Sequence, residues 1–229
     1  MCAPEDDASG RKSVHSAGKL HQRYRRLNRY VRKHQIVFAG SSLMEQFPVY
    51  EFLIDRQLPY AIYNRGVGGF TTPEFYDALE ECVFELEPDY LFLNIGTNDM
   101  NGPEYDQEVL IRNYRKILQA IRERLPQVKL YLLAYYPVYA KACPIPYLQG
   151  VFRYRTNERI HAANEAVHAL AEEFHAEFLD CNDVLKDEQG NLKEEYTVEG
   201  MHMYADGYWP VFSRLLPVLK EISSVIPDV

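Results

Sequence analysis

Four short segments of this 229-residue chain carry side chains suited to acyl transfer, although they lie far apart in sequence. Gly40-Ser41-Ser42 offers hydroxyls directly after an apolar run. Asn64-Arg65-Gly66-Val67-Gly68-Gly69 offers backbone amides that a missing Cβ leaves approachable. Gly96-Thr97-Asn98-Asp99 adds a side-chain amide and a carboxylate, and Glu199-Gly200-Met201-His202 a carboxylate and an imidazole. A serine hydroxyl is a weak nucleophile until a neighbouring base takes its proton. Imidazole is the usual base, because its pKa lies near working pH. A carboxylate on the other ring nitrogen fixes the tautomer and stabilises the imidazolium. The tetrahedral intermediate then needs N–H donors aimed at its oxyanion.

Strands must bring these segments to one edge. Apolar runs predict strands at Gln35–Ala39, Tyr60–Tyr63, Asp89–Ile95, Val128–Tyr136 and Ala176–Asp180. Helical spacing predicts helices at Val14–Lys33, Pro73–Glu85, Tyr105–Arg124, Thr156–His175 and Tyr208–Ile222. Alternating strands and helices imply parallel βαβ units, hence a three-layer α/β/α sandwich around a mostly parallel five-stranded sheet. Open parallel sheets bind ligands beyond the carboxyl ends of their strands, where three of the four segments stand. Pro137–Tyr154 is a long irregular stretch carrying aromatic residues, the usual character of a pocket wall. Tyr136, Tyr139, Tyr147 and Phe152 are the expected substrate walls, with Arg155 beside them. Thr156 reads as a helix start.

The four segments resemble, in order, the motifs of the SGNH (GDSL-type) hydrolases. VFAGSSLMEQF resembles the Gly-Asp-Ser nucleophile segment, NRGVGGFTT the second segment, IGTND the Gly-x-Asn-Asp segment, and EGMHMYADGY the terminal Asp-x-x-His segment. Within that family the NRGVGG, RTNERI and EEYTVEGMH stretches look closest to bacterial platelet-activating-factor acetylhydrolase-like esterases. The resemblance implies the flavodoxin-like SGNH fold and hydrolysis of short acyl, foremost acetyl, esters of small molecules or carbohydrates. It implies Ser42 as nucleophile, His202 as base and Glu199 as the acid orienting it. It also implies an oxyanion hole of the Ser42 and Gly69 N–H groups and the Asn98 amide, and no cofactor or metal. Two departures stand out: Ser41 replaces the family's Asp, which makes it a rival nucleophile, and Glu199 replaces an Asp. A backbone carbonyl in place of Glu199 is the alternative partner for His202. Asp99 reads as structural.

Other chemistries fit less well. Glu199, His202 and Asp99 could ligate a metal, but the remaining histidines fall on predicted helices away from the strand ends. The glycine turns lack GxGxxG, and no GxSxG elbow occurs. A non-catalytic binding protein on the same scaffold is an alternative, as is lysophospholipase or thioesterase activity. The net charge of −8 argues against a nucleic-acid partner. One local exception is the run from Arg11 to Lys33, with nine Lys or Arg and no acid, read as a docking helix with a solvated basic face. Residues 1–14 read as disordered or tag-like, and 15–229 as one hydrolase domain. The scattered cysteines lack CxxC spacing and read as free thiols. With no apolar leader and no run near the roughly 20 apolar residues of a membrane span, the expectation is a cytoplasmic protein without integral membrane association. A homodimer is left open.

Overall fold

The computed structural model describes residues 23–56 and 61–223. Short apolar runs form strands β1 (Ile36–Gly40), β2 (Ile62–Gly66), β3 (Tyr90–Asn94), β4 (Lys129–Leu133) and β5 (Glu177–Leu179). All neighbours pair in parallel, in the order β2-β1-β3-β4-β5. The chain steps outward from β1 to β2, then returns past β1 to β3. The winding therefore reverses between β1 and β3, and a crevice opens beyond the carboxyl ends at such a switch point.

The α-helices along the chain are α1 (Ser42–Glu45), α2 (Val49–Arg56), α3 (Thr72–Asp77), α4 (Leu79–Cys82), α5 (Gln107–Arg124), α6 (Pro146–Phe152), α7 (Asn157–Glu173) and α8 (Ala205–Ser223). The two-residue period of a strand sorts its side chains between two cores. Val37, Ala39, Leu91, Leu93, Leu130 and Leu132 face the core shared with α3, α4, α5 and α7. Ile36, Phe38, Tyr90, Phe92, Tyr131 and Leu133 face the core shared with α1, α2 and α8. This is the three-layer sandwich expected from sequence. In α5 the buried stripe is Leu110, Tyr114, Ile117, Leu118 and Ile121, at helical spacing. Each such side chain contributes about 1.5–3 kcal/mol when fully buried. The Asp106 carboxylate caps α5 by accepting from Glu108 and Val109 N–H, so the helix starts two residues after Tyr105. Thr156 likewise caps α7, and left-handed backbone at His175 (φ 50°) follows that helix.

Several boundaries differ from the sequence expectation for physical reasons. β2 is not Tyr60–Tyr63: the strand runs to Gly66, because Asn64-Arg65-Gly66 stays in register with Phe38-Ala39-Gly40 of β1. Polar Arg65 survives there because its guanidinium sits 5.0 Å from the Tyr24 ring and 5.6 Å from that of Tyr63, and donates to Asn28 Oδ1. Pro73–Glu85 is not one helix. Phe75, Ala78, Leu79, Cys82, Val83, Phe84 and Leu86 are all buried, more than one helical stripe can hide, so the chain breaks at Ala78 and Val83. β4 stops at Leu133. Beyond it, Tyr135 N–H donates to Asn164 Oδ1 (2.7 Å) and Tyr135 C=O accepts from Asn164 Nδ2 (3.0 Å), so a side-chain amide replaces the ladder. Pro137–Tyr154 is partly helical rather than irregular, since it contains α6 and a 3₁₀ turn at Ala140–Ala142.

Of the predicted helix Val14–Lys33, residues 14–22 lie outside the described residues. Residues 23–27 are helical, Asn28–Tyr30 form a 3₁₀ turn, and Val31 is extended, which ends the helix early. The predicted N-terminal tail, 1–14, also lies outside the described residues.

Candidate active site

The nucleophile turn begins where β1 is tightest. A Cβ on Gly40 would sit 2.0 Å from Asn94 O of β3, and its φ is +150°, so only glycine fits. Ser41 follows in extended conformation as the residue before α1, its N–H donating to Asn94 O at 3.1 Å. Ser42 is the first residue of α1. Its N–H is one of the donors that a helix start leaves without an internal partner, and among the described residues it donates to no protein acceptor. The Ser41 hydroxyl is fully buried without a hydrogen-bond partner. The Ser42 hydroxyl instead lies 2.9 Å from His202 Nε2.

The segment after the 3₁₀ turn at Glu194–Tyr196 holds the imidazole by backbone bonds. Val198 N–H and Thr197 Oγ1–H both donate to His202 O, at 2.9 and 3.0 Å, and Gly200 N–H donates to Thr197 Oγ1 at 2.7 Å. Tyr139 N–H donates to Gly200 O at 2.7 Å, which ties this loop to the chain leaving β4. Glu199 is 6% exposed, and its Oε1 meets both His202 Nδ1 and His202 N–H. A carboxylate only accepts, so Nδ1 carries the proton and Nε2 presents its lone pair to the Ser42 O–H. At Glu199 the orienting group is thus the carboxylate rather than a backbone carbonyl.

The third corner faces Ser42 from β2 and β3. Gly68 N–H donates to Glu45 Oε2 at 2.5 Å, and Gly69 has φ +85°. Gly69 N–H has no protein acceptor among the described residues. Asn98 stands in the 3₁₀ turn Thr97–Met100 after β3. Its Nδ2 donates to Phe70 O at 2.9 Å, and its Oδ1 accepts from Arg155 Nη2 at 2.8 Å. Asp99 accepts from Thr72 N–H (3.0 Å) and Oγ1–H (2.5 Å), pinning the start of α3 to the Asn98 turn. Burial holds the Asp99 carboxyl above the usual carboxylate range, against the opposing pull of the Thr72 bonds. A hydroxyl and an imidazole with a buried carboxylate therefore meet at the carboxyl edge of the sheet, where the turns carrying Gly69 and Asn98 also follow β2 and β3.

Residues 37–209 match the GDSL-like lipase/acylhydrolase family. The chain belongs to that family. A solved structure of a candidate platelet activating factor from Streptococcus pneumonia superposes with a TM-score of 0.80 at 31% identity, over 90% of this chain and 94% of that one. Platelet-activating factor acetylhydrolase IB subunit alpha1 of Bos taurus is 25% identical over 189 residues, 82% of this chain and 76% of that protein. N-acylneuraminate cytidylyltransferase of Escherichia coli O18:K1:H7 is 25% identical over 160 residues; the match takes in 69% of this chain and 35% of that much longer protein.

In this acylhydrolase the residues expected as substrate walls divide. Tyr136 is corrected to a core residue. The strand alternation continues past β4, turning Tyr135 to one core and Tyr136 to the other, where burial raises both phenols well above their usual range. Tyr147 on α6 is 72% exposed, and Tyr139 is half-buried. Phe152 is buried, and a Cβ on Gly200 would come within 2.8 Å of its ring, so it packs under the His202 loop. Arg155 is buried and bonds Asn98, so it presents no open surface to substrate. Two contributors went unread in sequence: Glu45, which holds the Gly68 amide, and Phe70, whose carbonyl takes one Asn98 N–H. Neither carries a local signal, because each acts through a fold-made contact.

A sizeable cleft of the acylhydrolase lies away from this edge. About 800 Å³ opens at the amino ends of the strands, lined by His34, Asp89 and Val128 among others, with most of its charges paired across it. Of the side chains weighed as metal ligands, Asp99 accepts from Thr72 and Glu199 meets His202, and among the described residues no three His, Cys, Asp or Glu are grouped to hold an ion. Cys82, Cys143 and Cys181 are free and buried. Among the described residues no helix is long and apolar enough to cross a membrane.

Proposed function

We propose that this hydrolase is a serine esterase acting on short acyl esters, acetyl esters foremost, of small molecules or carbohydrates. The observation that carries the reading is the 2.9 Å approach of Ser42 Oγ and His202 Nε2, residues 160 apart in sequence, with a buried carboxylate on the far ring nitrogen. His202 Nε2 takes the hydroxyl proton as Ser42 Oγ attacks the ester carbonyl carbon. Negative charge on the carbonyl oxygen meets the Ser42 and Gly69 N–H groups and the second Asn98 Nδ2–H. Glu199 stabilises the imidazolium. The intermediate collapses, the C–O bond breaks, and the alcohol leaves with the proton from His202. A water, deprotonated by the same Nε2, then attacks the acyl-serine and releases the acid. The acetylhydrolase named among the relatives supports the choice of acyl group.

The test is labelling with a fluorophosphonate and hydrolysis of p-nitrophenyl acetate, with and without EDTA. The expected result is one label, on Ser42, and turnover indifferent to the chelator. Labelling at another residue, or turnover lost in EDTA, overturns the proposal. A chain-length series of p-nitrophenyl esters, then acetylated sugars, tests the short-acyl preference.

A further inference from the structure

Arg155 is a fully buried guanidinium, 3% exposed, at the edge where Asn98 and the His202 loop meet. Its Nη2 donates to Asn98 Oδ1 at 2.8 Å, and its Nη1 approaches Met201 Sδ, next to His202, at 3.3 Å. Its Nε–H finds no acceptor among the described residues. A buried cation with an orphaned donor is a poor device for stability alone, since an apolar side chain of similar volume fills such a slot without desolvating a charge.

We propose that Arg155 is a positioning residue for the oxyanion hole: it fixes the orientation of the Asn98 amide and strengthens its remaining N–H as a donor. This rests on the serine-esterase reading above. The terminal amide torsion of an asparagine is broad and two-fold, so its two faces are easily exchanged. Here the neighbours remove the choice. A guanidinium has donors and no acceptor, so the Asn98 atom facing Arg155 is Oδ1. Phe70 C=O only accepts, so the atom facing it is Nδ2. The second Nδ2–H has no protein acceptor among the described residues, and it is the one the esterase reading assigns to the oxyanion. With the amide reversed, a carbonyl oxygen would face the developing anion and repel it. The bond to Oδ1 is charge-assisted, and it polarises the amide so that the far N–H donates more strongly. Burial lowers the guanidinium to about 10, against the opposing fields of Asp99 and Glu199, so it stays cationic at neutral pH.

The experiment is a double-mutant cycle on the full chain, with wild type, Arg155→Met, Asn98→Ala and the pair, read as kcat and KM on p-nitrophenyl acetate. Arg155→Met is expected to lower kcat by ~10–10²-fold with KM held within about twofold. The double variant is expected to be no slower than Asn98→Ala, because both changes remove the same donor. Arg155→Lys, which keeps the charge and loses the fork, is expected to recover part of the loss. Losses that multiply in the double variant, or an Arg155→Met enzyme with wild-type kcat, overturn the proposal. Should Arg155→Met not fold, as judged by near-UV circular dichroism, Arg155→Lys takes its place in the same cycle with the same two outcomes. Fluorophosphonate labelling separates the levels. A wild type unlabelled at Ser42 ends the parent reading and this one with it, whereas a labelled wild type with multiplying losses ends only the role of Arg155.

Discussion

Replacing Glu199 by Gln removes one charge from the site and almost nothing else. The side chain is buried, so no solvent fills the gap, and Gln keeps its length and shape. Glu199 Oε1 meets both the Nδ1 and the backbone N–H of His202, so a glutamine oxygen can still accept from the ring. What is lost is the attraction between carboxylate and imidazolium in the transition state. Unit charges ~4 Å apart interact by about 4 kcal/mol at an effective dielectric of 20. At ~1.4 kcal/mol per decade, that predicts a ~10³-fold fall in kcat/KM. If the glutamine amide turns its NH₂ toward Nδ1 it selects the wrong tautomer, and the loss approaches ~10⁴-fold. The assay is kcat/KM on p-nitrophenyl acetate, with the fluorophosphonate labelling rate followed in parallel, because both need the same proton transfer from Ser42. Glu199→Asp keeps the charge but withdraws it by about one bond length, ~1.5 Å, and should fall between wild type and Gln. A Glu199→Gln enzyme within about fivefold of wild type in kcat/KM would refute the reasoning and leave the Glu199–His202 contact as packing.

Ser42→Ala should lower turnover by ~10³-fold or more. Ser41→Ala should leave kcat within about twofold and Tm unchanged or raised, since that hydroxyl is buried without a partner; the reverse pattern would move the nucleophile back one residue. Asn98→Ala should reduce kcat by ~10²-fold or more at near-constant KM, read on the same ester. Gly40→Ala drives a Cβ to 2.0 Å from Asn94 O between β1 and β3, and should destabilise the fold by ~3 kcal/mol or more, about 6–12 °C in Tm by calorimetry. An unchanged Tm would show that the two strands can part at that point without penalty. Tyr208→Phe removes the buried hydroxyl that α8 donates to Leu43 O at 3.0 Å; ~1 kcal/mol of stability should go, with little change in kcat.

The layers and the existence of the five strands were legible because they follow from local rules: two-residue alternation, apolar runs, and glycine where chains approach closely. Ser42, Asn98 and His202 each sit directly beside such a signal, and the fold brings Ser42 and His202 into contact. The course of β2 was not legible. Asn64-Arg65-Gly66 has the composition of a turn, and only Tyr24, Tyr63 and Asn28, far away in sequence or on a neighbouring face, make a buried arginine tolerable in a strand. Tyr136 was misread for a related reason. An aromatic residue past a strand end suits a pocket wall as well as a core, and only the continued alternation through Tyr135 decides between them. Arg155 was read as a substrate contact beside the expected walls. Its burial against Asn98 is set by a contact 57 residues away.

The same logic explains why asparagine is an ambiguous signal at this edge. Where a parallel strand ends, its backbone N–H and C=O groups lose their ladder partners and must be satisfied by something else. Here asparagine side chains do that repeatedly. Asn64 accepts from Gly66 N–H and donates to Met44 O, and Asn94 donates to Ala134 O. Asn157 accepts from Val138 N–H and donates to Val138 O, while Asn164 does the same for Tyr135. Each amide stands in for one rung, and together they stiffen the segments that carry Ser42, Gly69 and His202. Asn98 uses the same two functional ends, on Phe70 and on Arg155 and Asn101, but one of its N–H groups is left without a protein acceptor among the described residues. The proposed oxyanion donor is thus one member of a set of structural amides, separated from the rest by a single unused hydrogen, and that hydrogen can be found only by following where every other donor goes.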